Sequence, residues 1–196
     1  MTTPATSLFS AHPSTSQSSL IQFNEFMMNS ALIAVGYADA ARRLRHSYKA
    51  EPWDDVMLLP FMFVWRQAIE LALKNNIRDL AELRRQGGDA DPLLEKKTVR
   101  KRLQFKIGHD LEKLIEEQRT HVAALGLQNI PDDVDQTLGL LAALDNGGTG
   151  FRYAGTLAVP SADIDFQTIA SALDDAFRLL EVVIDAATDG GGVDWS

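Results

Sequence analysis

Apolar residues along this chain recur at three- and four-residue steps and seldom alternate, so the elements they predict are helices. From Leu20 to Tyr48, Ile21, Met28, Leu32, Val35 and Ala38 keep that spacing. The segment ends on Arg42, Arg43, Arg45 and His46, cations suited to the negative end of a helix dipole. A second helix is predicted from Trp53 to about Arg85. Asp54 and Asp55 occupy its first turn, and Phe61, Met62, Val64, Trp65, Ile69, Leu73, Ile77 and Leu80 make it apolar around most of its circumference. Such a helix belongs at the centre of a bundle. Pro60 is expected to kink or restart it. A third helix is expected from His109 to Ala124 on Leu111, Leu114 and Ile115, and a fourth from Pro131 to Leu144. A fifth runs from about Asp165 to Thr188 on Ile169, Leu173, Ala176, Phe177, Leu180 and Ile184. Residues 87–92 and the Asn-Gly-Gly-Thr-Gly turn at 146–150 separate them, and residues 151–159 have a short extended look. With little strand-like alternation and no internal repeat, the pattern predicts an all-α bundle of about five helices.

The 196 residues divide into a Ser/Thr/Pro-rich tail at 1–19, too poor in apolar groups to order itself, a helical domain at 20–188, and a flexible, glycine-rich tail at 189–196. No Lys or Arg precedes Arg42, which argues against a secretory or mitochondrial presequence. No run of about 20 residues is judged apolar enough to span a bilayer. A cytoplasmic protein without membrane contact is therefore expected. The absence of cysteine removes disulfide scaffolds, thiolate metal sites, iron–sulfur clusters and cysteine nucleophiles. The four histidines have no metal spacing, and phosphate-loop, dinucleotide and nucleophile-elbow motifs are missing. Neither a metal nor a cofactor is expected.

The net charge of −8 is unevenly distributed. Only two of the 19 Lys and Arg lie after Ile130, against 12 of the 27 Asp and Glu. A general nucleic-acid coat would be basic overall, so any phosphate contact has to be local. The candidate is Glu95 to Lys106 (EKKTVRKRLQFK), with six basic residues and one acid. It reads either as a solvated face or loop, or as a strip for a phosphate backbone.

Chemistry is sought where polar groups interrupt the apolar pattern. Arg66, Glu70 and Lys74 stand at steps of four on the central helix, a carboxylate between two cations. Buried charges must be paired, so the three form either a structural ladder or the lining of a polar pocket. His109 follows a glycine at a predicted helix start, where the dipole favours a neutral imidazole able to act as a base. Arg152 and Tyr153 follow the glycine-rich turn, and an arginine in so acidic a region either pairs with a carboxylate or binds an anion.

Three strings carry a resemblance: Arg66-Gln67-Ala68-Ile69-Glu70-Leu71-Ala72-Leu73-Lys74 on the long central helix, Gly108-His109-Asp110-Leu111 opening the next, and Phe151-Arg152-Tyr153 before the last. Together they resemble the HEPN superfamily over about residues 20–187. That resemblance implies an all-α bundle that usually dimerises, in bacterial toxin–antitoxin, phage-defence and stress systems. Many members are metal-independent endoribonucleases, and others bind nucleotides or serve as scaffolds. In the nucleases an Arg precedes a His by a few residues. Arg102 and His109, with six residues between them, have such a spacing but lie ahead of the third helix rather than at the last. The resemblance thus makes His109 and Arg102 catalytic candidates and Arg66, Glu70, Lys74, Arg152 and Tyr153 ligand-binding candidates. It implies a homodimer that binds RNA or a nucleotide, with metal-independent cleavage of RNA as a further implied activity. The alternative is a non-catalytic, dimerising protein-interaction module.

Overall fold

The computed structural model describes residues 30–153 and 164–188. Both expected tails, the start of the first predicted helix and most of the extended segment fall outside them. Among the described residues there are six α-helices and no strand. They are α1 (Ser30–Ser47), α2 (Asp55–Gln86), α3 (Lys96–Arg102), α4 (Leu111–Ala124), α5 (Asp132–Asp145) and α6 (Phe166–Thr188). A 3₁₀ turn (Pro92–Leu94) precedes α3, and a π-helical turn (Leu103–Ile107) follows it.

The helix α2 is the axis of the bundle. It packs against α1, α3, α4 and α6, while α5 bridges α4 and α6. Phe61, Met62, Trp65, Ile69, Leu73, Ile77 and Leu80 are buried along it, as the pattern predicts. It runs unbroken through Pro60, because that residue lies in its second turn and its missing N–H forfeits a single helical bond. An 18-residue window of α2 also reaches a mean hydropathy of 1.5, long and apolar enough to cross a membrane. The expectation that no segment would do so fails here, and half of that window is buried inside the bundle.

Of the described part of the apolar face expected for the first helix, Ala38 is buried, but the large residues are not. Leu32 and Val35 are exposed, and the seam against α2 is Ala34, Ala38 and Ala41. Small side chains let the two helix backbones approach closely, which repays more contact than two isolated large residues would. At the far end of this seam Arg42 donates to Asp174 of α6 at 2.8 Å and lies over the rings of Trp65 and Phe177. Tyr48 stacks on Phe166 with centroids 3.8 Å apart, tying α1 to the start of α6.

The sixth helix, α3, comes from the basic run. Val99 and Leu103, one turn apart, are buried, and the cations occupy the rest of the circumference. The run is therefore a solvated helix with one apolar stripe. The π turn closes with the Gly108 N–H donating to the Leu103 carbonyl at 3.0 Å. Gly108 then takes φ of 63°, a conformation glycine adopts at little cost. The next helix starts two residues later than expected. Its cap is Asp110, whose carboxylate accepts from the Lys113 N–H at 3.1 Å. His109 thus precedes the helix and does not open it.

Leu73 is fully buried where α2 meets its neighbours. Leu73→Ala is expected to destabilise the fold by about 2–5 kcal/mol, from lost apolar burial plus the cavity left behind, and urea denaturation followed by circular dichroism measures it.

Candidate functional site

The polar centre begins with one guanidinium. Arg66 has no solvent exposure. A charge in that position is tolerable only if every donor is used. Its Nε donates to the Asp145 carbonyl at 2.8 Å, Nη1 to the Glu70 carboxylate at 2.6 Å, and Nη2 to the carbonyls of His109 at 2.6 Å and Asn146 at 2.9 Å. One side chain of α2 thereby fixes the end of α5, the turn beyond it and the residue ahead of α4.

The turn is shaped to receive it. Asp145 ends α5, and its carboxylate accepts the N–H groups of Thr149 and Gly150 at 2.8 Å each and Phe151 at 3.3 Å. The Asn146 side chain accepts from the Glu112 N–H at 2.9 Å, joining the turn to the first residues of α4. Gly148 has φ of 74°, and a Cβ there would stand 2.9 Å from the Arg66 guanidinium carbon. Only glycine satisfies both conditions.

Glu70, one turn along α2, is also buried. Its Oε2 takes Arg66, and its Oε1 takes the Lys74 ammonium at 2.7 Å and His109 Nδ1 at 2.8 Å. Burial by itself would raise the Glu70 pKa. Hydrogen bonds and charge from Lys74 and Arg66 outweigh burial and hold it below its ordinary 4.5. An ionised carboxylate only accepts, so His109 presents Nδ1–H to it and turns Nε2 outward. The His109 side chain is 65% exposed, so that nitrogen meets solvent.

Arg152 donates through Nε to the Gly148 carbonyl at 2.6 Å, and its guanidinium lies 5.9 Å from the Phe63 ring centroid and 5.7 Å from that of Tyr153. It takes a carbonyl and two rings where a carboxylate partner was one expectation. Phe63 is one turn before Arg66 on α2, so Arg152 flanks the same stripe that carries Glu70 and Lys74. Arg66, Glu70, Lys74 and His109 form one hydrogen-bonded network, and the Gly148 turn brings Arg152 and Tyr153 to its edge.

Arg102 belongs elsewhere. Its Nε and Nη2 grip Glu117 of α4 at 2.9 and 2.6 Å, and Nη1 donates to the Leu93 carbonyl. It borders a separate cleft of about 540 Å³ with Leu93, Ile107, Lys113 and His121. There the buried His121 accepts from Arg84 through Nδ1 at 3.2 Å. That leaves its proton on Nε2, toward Glu117. Burial would raise the Glu117 pKa, and the His121 ring and Arg102 hold it below the ordinary value. The six-residue spacing of Arg102 and His109 thus spans two networks, one on each side of the Gly108 reversal.

The sequence reading missed Asp145, Asn146 and Gly148. The available signal was an Asp-Asn pair directly before Gly-Gly-Thr-Gly, where acceptors meet a chain able to curl around them.

No family model, curated protein or solved structure matches this chain.

Three measurements follow from the network. Glu70→Ala leaves Arg66 buried without its carboxylate and is expected to cost about 3–5 kcal/mol of stability. A folded-state pKa held below the unfolded one adds stability that is fully present above the ordinary 4.5 and is lost as pH falls through the folded value. The stability gap between wild type and Glu70→Gln should accordingly shrink as pH drops from about 5 to about 3, as urea titrations at each pH would record. Gly148→Ala should lower stability by about 1–3 kcal/mol, because strain and a clash coincide.

Proposed function

We propose that the chain is a HEPN-like protein of a bacterial defence or stress system that binds RNA in the cytoplasm and cleaves it without a metal, with His109 as general base. The observation that carries this reading is the His109–Glu70 pair. A buried, ionised carboxylate holds one ring nitrogen while the other is presented to solvent. A histidine serving only to tie helices together has no need of an exposed ring, whereas a base has to reach its substrate. In the proposed reaction Nε2 removes the proton of a ribose 2′-hydroxyl. The 2′-oxygen attacks the adjacent phosphorus, the bond to the 5′-oxygen breaks, and that oxygen takes a proton from solvent. Lys74, which shares the Glu70 oxygen with His109, and Arg152 supply cations for the charge that builds on the phosphate. The products are a cyclic phosphate and a free 5′-hydroxyl.

A second reading, a dimerising scaffold without chemistry, is favoured by a different observation. Trp53, 82% exposed, and Val56 and Leu59 after it form an apolar edge at the start of α2. Residues at steps of three on one side of a helix suit a second helix. On this reading the network is only a lock between helices, and Val56→Asp converts a dimer into a monomer in sedimentation velocity.

The deciding assay incubates purified protein with tRNA and total RNA in the presence of EDTA. Wild type is expected to cleave. His109→Ala should lose at least about a hundredfold in rate, the ordinary effect of removing a general base. Arg102→Ala should retain most of the activity, because its donors are spent on Glu117. Loss in both variants would return Arg102 to the machinery. A folded wild-type protein that leaves RNA intact would overturn the nuclease reading and leave the scaffold.

A further inference from the structure

The basic helix has one property that neither packing nor pairing accounts for. Of the six cations from Lys96 to Lys106, only Arg102 takes part in an ion pair among the described residues. Lys97, Lys101 and Lys106 have none, and all three are exposed. Arg100 stands close enough to Arg78 of α2 for the two charges to oppose each other. Burial pushes the Arg78 pKa down, Asp79 works against that, and Arg100 adds to it. Arg78, Lys96 and Arg100 border a cleft of about 590 Å³ along one flank of α3, together with Asp79 and Glu82. Asp79 and Glu82 answer part of the charge in that cleft. The excess is carried by the outward Lys97, Lys101 and Lys106, which an anion would cover favourably.

Towards the end of the run, next to Lys106 and one turn after Lys101, stands Phe105, 74% exposed. It lies in the π turn, where Leu103 stays buried while Gln104, Phe105 and Lys106 face outward in succession. A large ring held in water between lysines has a flat face for stacking and phosphate partners on either side. Only Ile107 and Gly108 lie between Lys106 and His109, so their Cα atoms lie within about 11 Å of each other.

We infer that the exposed face of α3 and the π turn is the track that carries single-stranded RNA to His109, with a base stacked on Phe105 and phosphates on Lys97, Arg100, Lys101 and Lys106. This rests on the RNA reading of His109 and deepens it. A track of 12 residues, Lys96 to Ile107, is about 18 Å long at helical rise, enough for a short stretch of strand. A single strand suits it because a stacking ring needs an unpaired base. Stacking and backbone charge distinguish little between sequences, so tolerance of sequence is expected.

The test uses full-length protein and a fluorescein-labelled single-stranded RNA of mixed sequence, followed by anisotropy over a series of salt concentrations. Phe105→Ala should weaken binding about tenfold, the loss of one base–aromatic stack, and leave the salt slope unchanged. Lys101→Glu with Lys106→Glu should weaken binding further and flatten the slope by about one to two contacts. Arg43→Glu, on the exposed face of α1, should change neither. Melting temperatures equal to wild type exclude unfolding, since all these side chains are exposed. If wild type binds RNA and the α3 variants bind equally well, the track is wrong and the role of His109 is untouched. If the variants lose binding while the cleavage assay shows no dependence on His109, the track stands and the nuclease reading falls. Absence of binding by wild type overturns both, and a preference for duplex RNA over the single strand overturns the stacking role of Phe105.

Discussion

A guanidinium without solvent contact is among the most demanding groups a small fold can enclose. Arg66 imposes its demand on three elements at once. Its partners are carbonyls and a carboxylate that sit together only when α2, the start of α4 and the end of α5 are in register. The cost of removing the charge from water is offset only by the complete set, so partial assembly gains little. The Arg66 cluster is thus a condition on topology as much as a source of stability. It also explains the glycine at 148, where the turn passes closely over a planar cation.

The same cluster makes a catalytic arrangement available with few added parts. Glu70 is needed to neutralise Arg66, and Lys74 balances the second oxygen. Once that carboxylate is buried and ionised, a histidine placed beside it is oriented without further machinery. On the proposed reading, structural and chemical roles would be superposed in one group, so mutations at Glu70 need a stability readout beside any activity readout. His109 is exposed, so its substitution separates the two roles.

How much of this could be read in the chain differs from element to element. The central helix was legible, because Phe61 to Leu80 is a long apolar pattern that no other element imitates. The stack of Arg66, Glu70 and Lys74 was legible for the same reason, since helical spacing fixes which side chains are neighbours. The face of α1 was not. Leu32 and Val35 look like core, but Ala34, Ala38 and Ala41 were chosen by the close approach of a partner helix, which is a tertiary fact. The short α3 was hidden by its charge, because only Val99 and Leu103 mark its buried stripe. Arg102 and His109 looked like a pair from their separation along the chain. The reversal at Gly108 and the competing grip of Glu117 put them in different networks, and neither is encoded in spacing. The roles of Asp145 and Asn146 depend on contacts with Arg66 almost 80 residues earlier, beyond the reach of any local pattern.

Oε1 of Glu70 serves two donors, the Lys74 ammonium and the His109 ring. Neither can strengthen its hold without weakening the other's. An anion that drew the ammonium outward would leave the imidazole as the main claimant on that oxygen and tighten the bond that orients it. The arrival of negative charge at one side chain would thus be transmitted to the other through a single shared atom, with no movement of the backbone. Occupancy at Lys74 and alignment at His109 become one variable, and the pair responds to a ligand as a balance does to a weight placed on one arm.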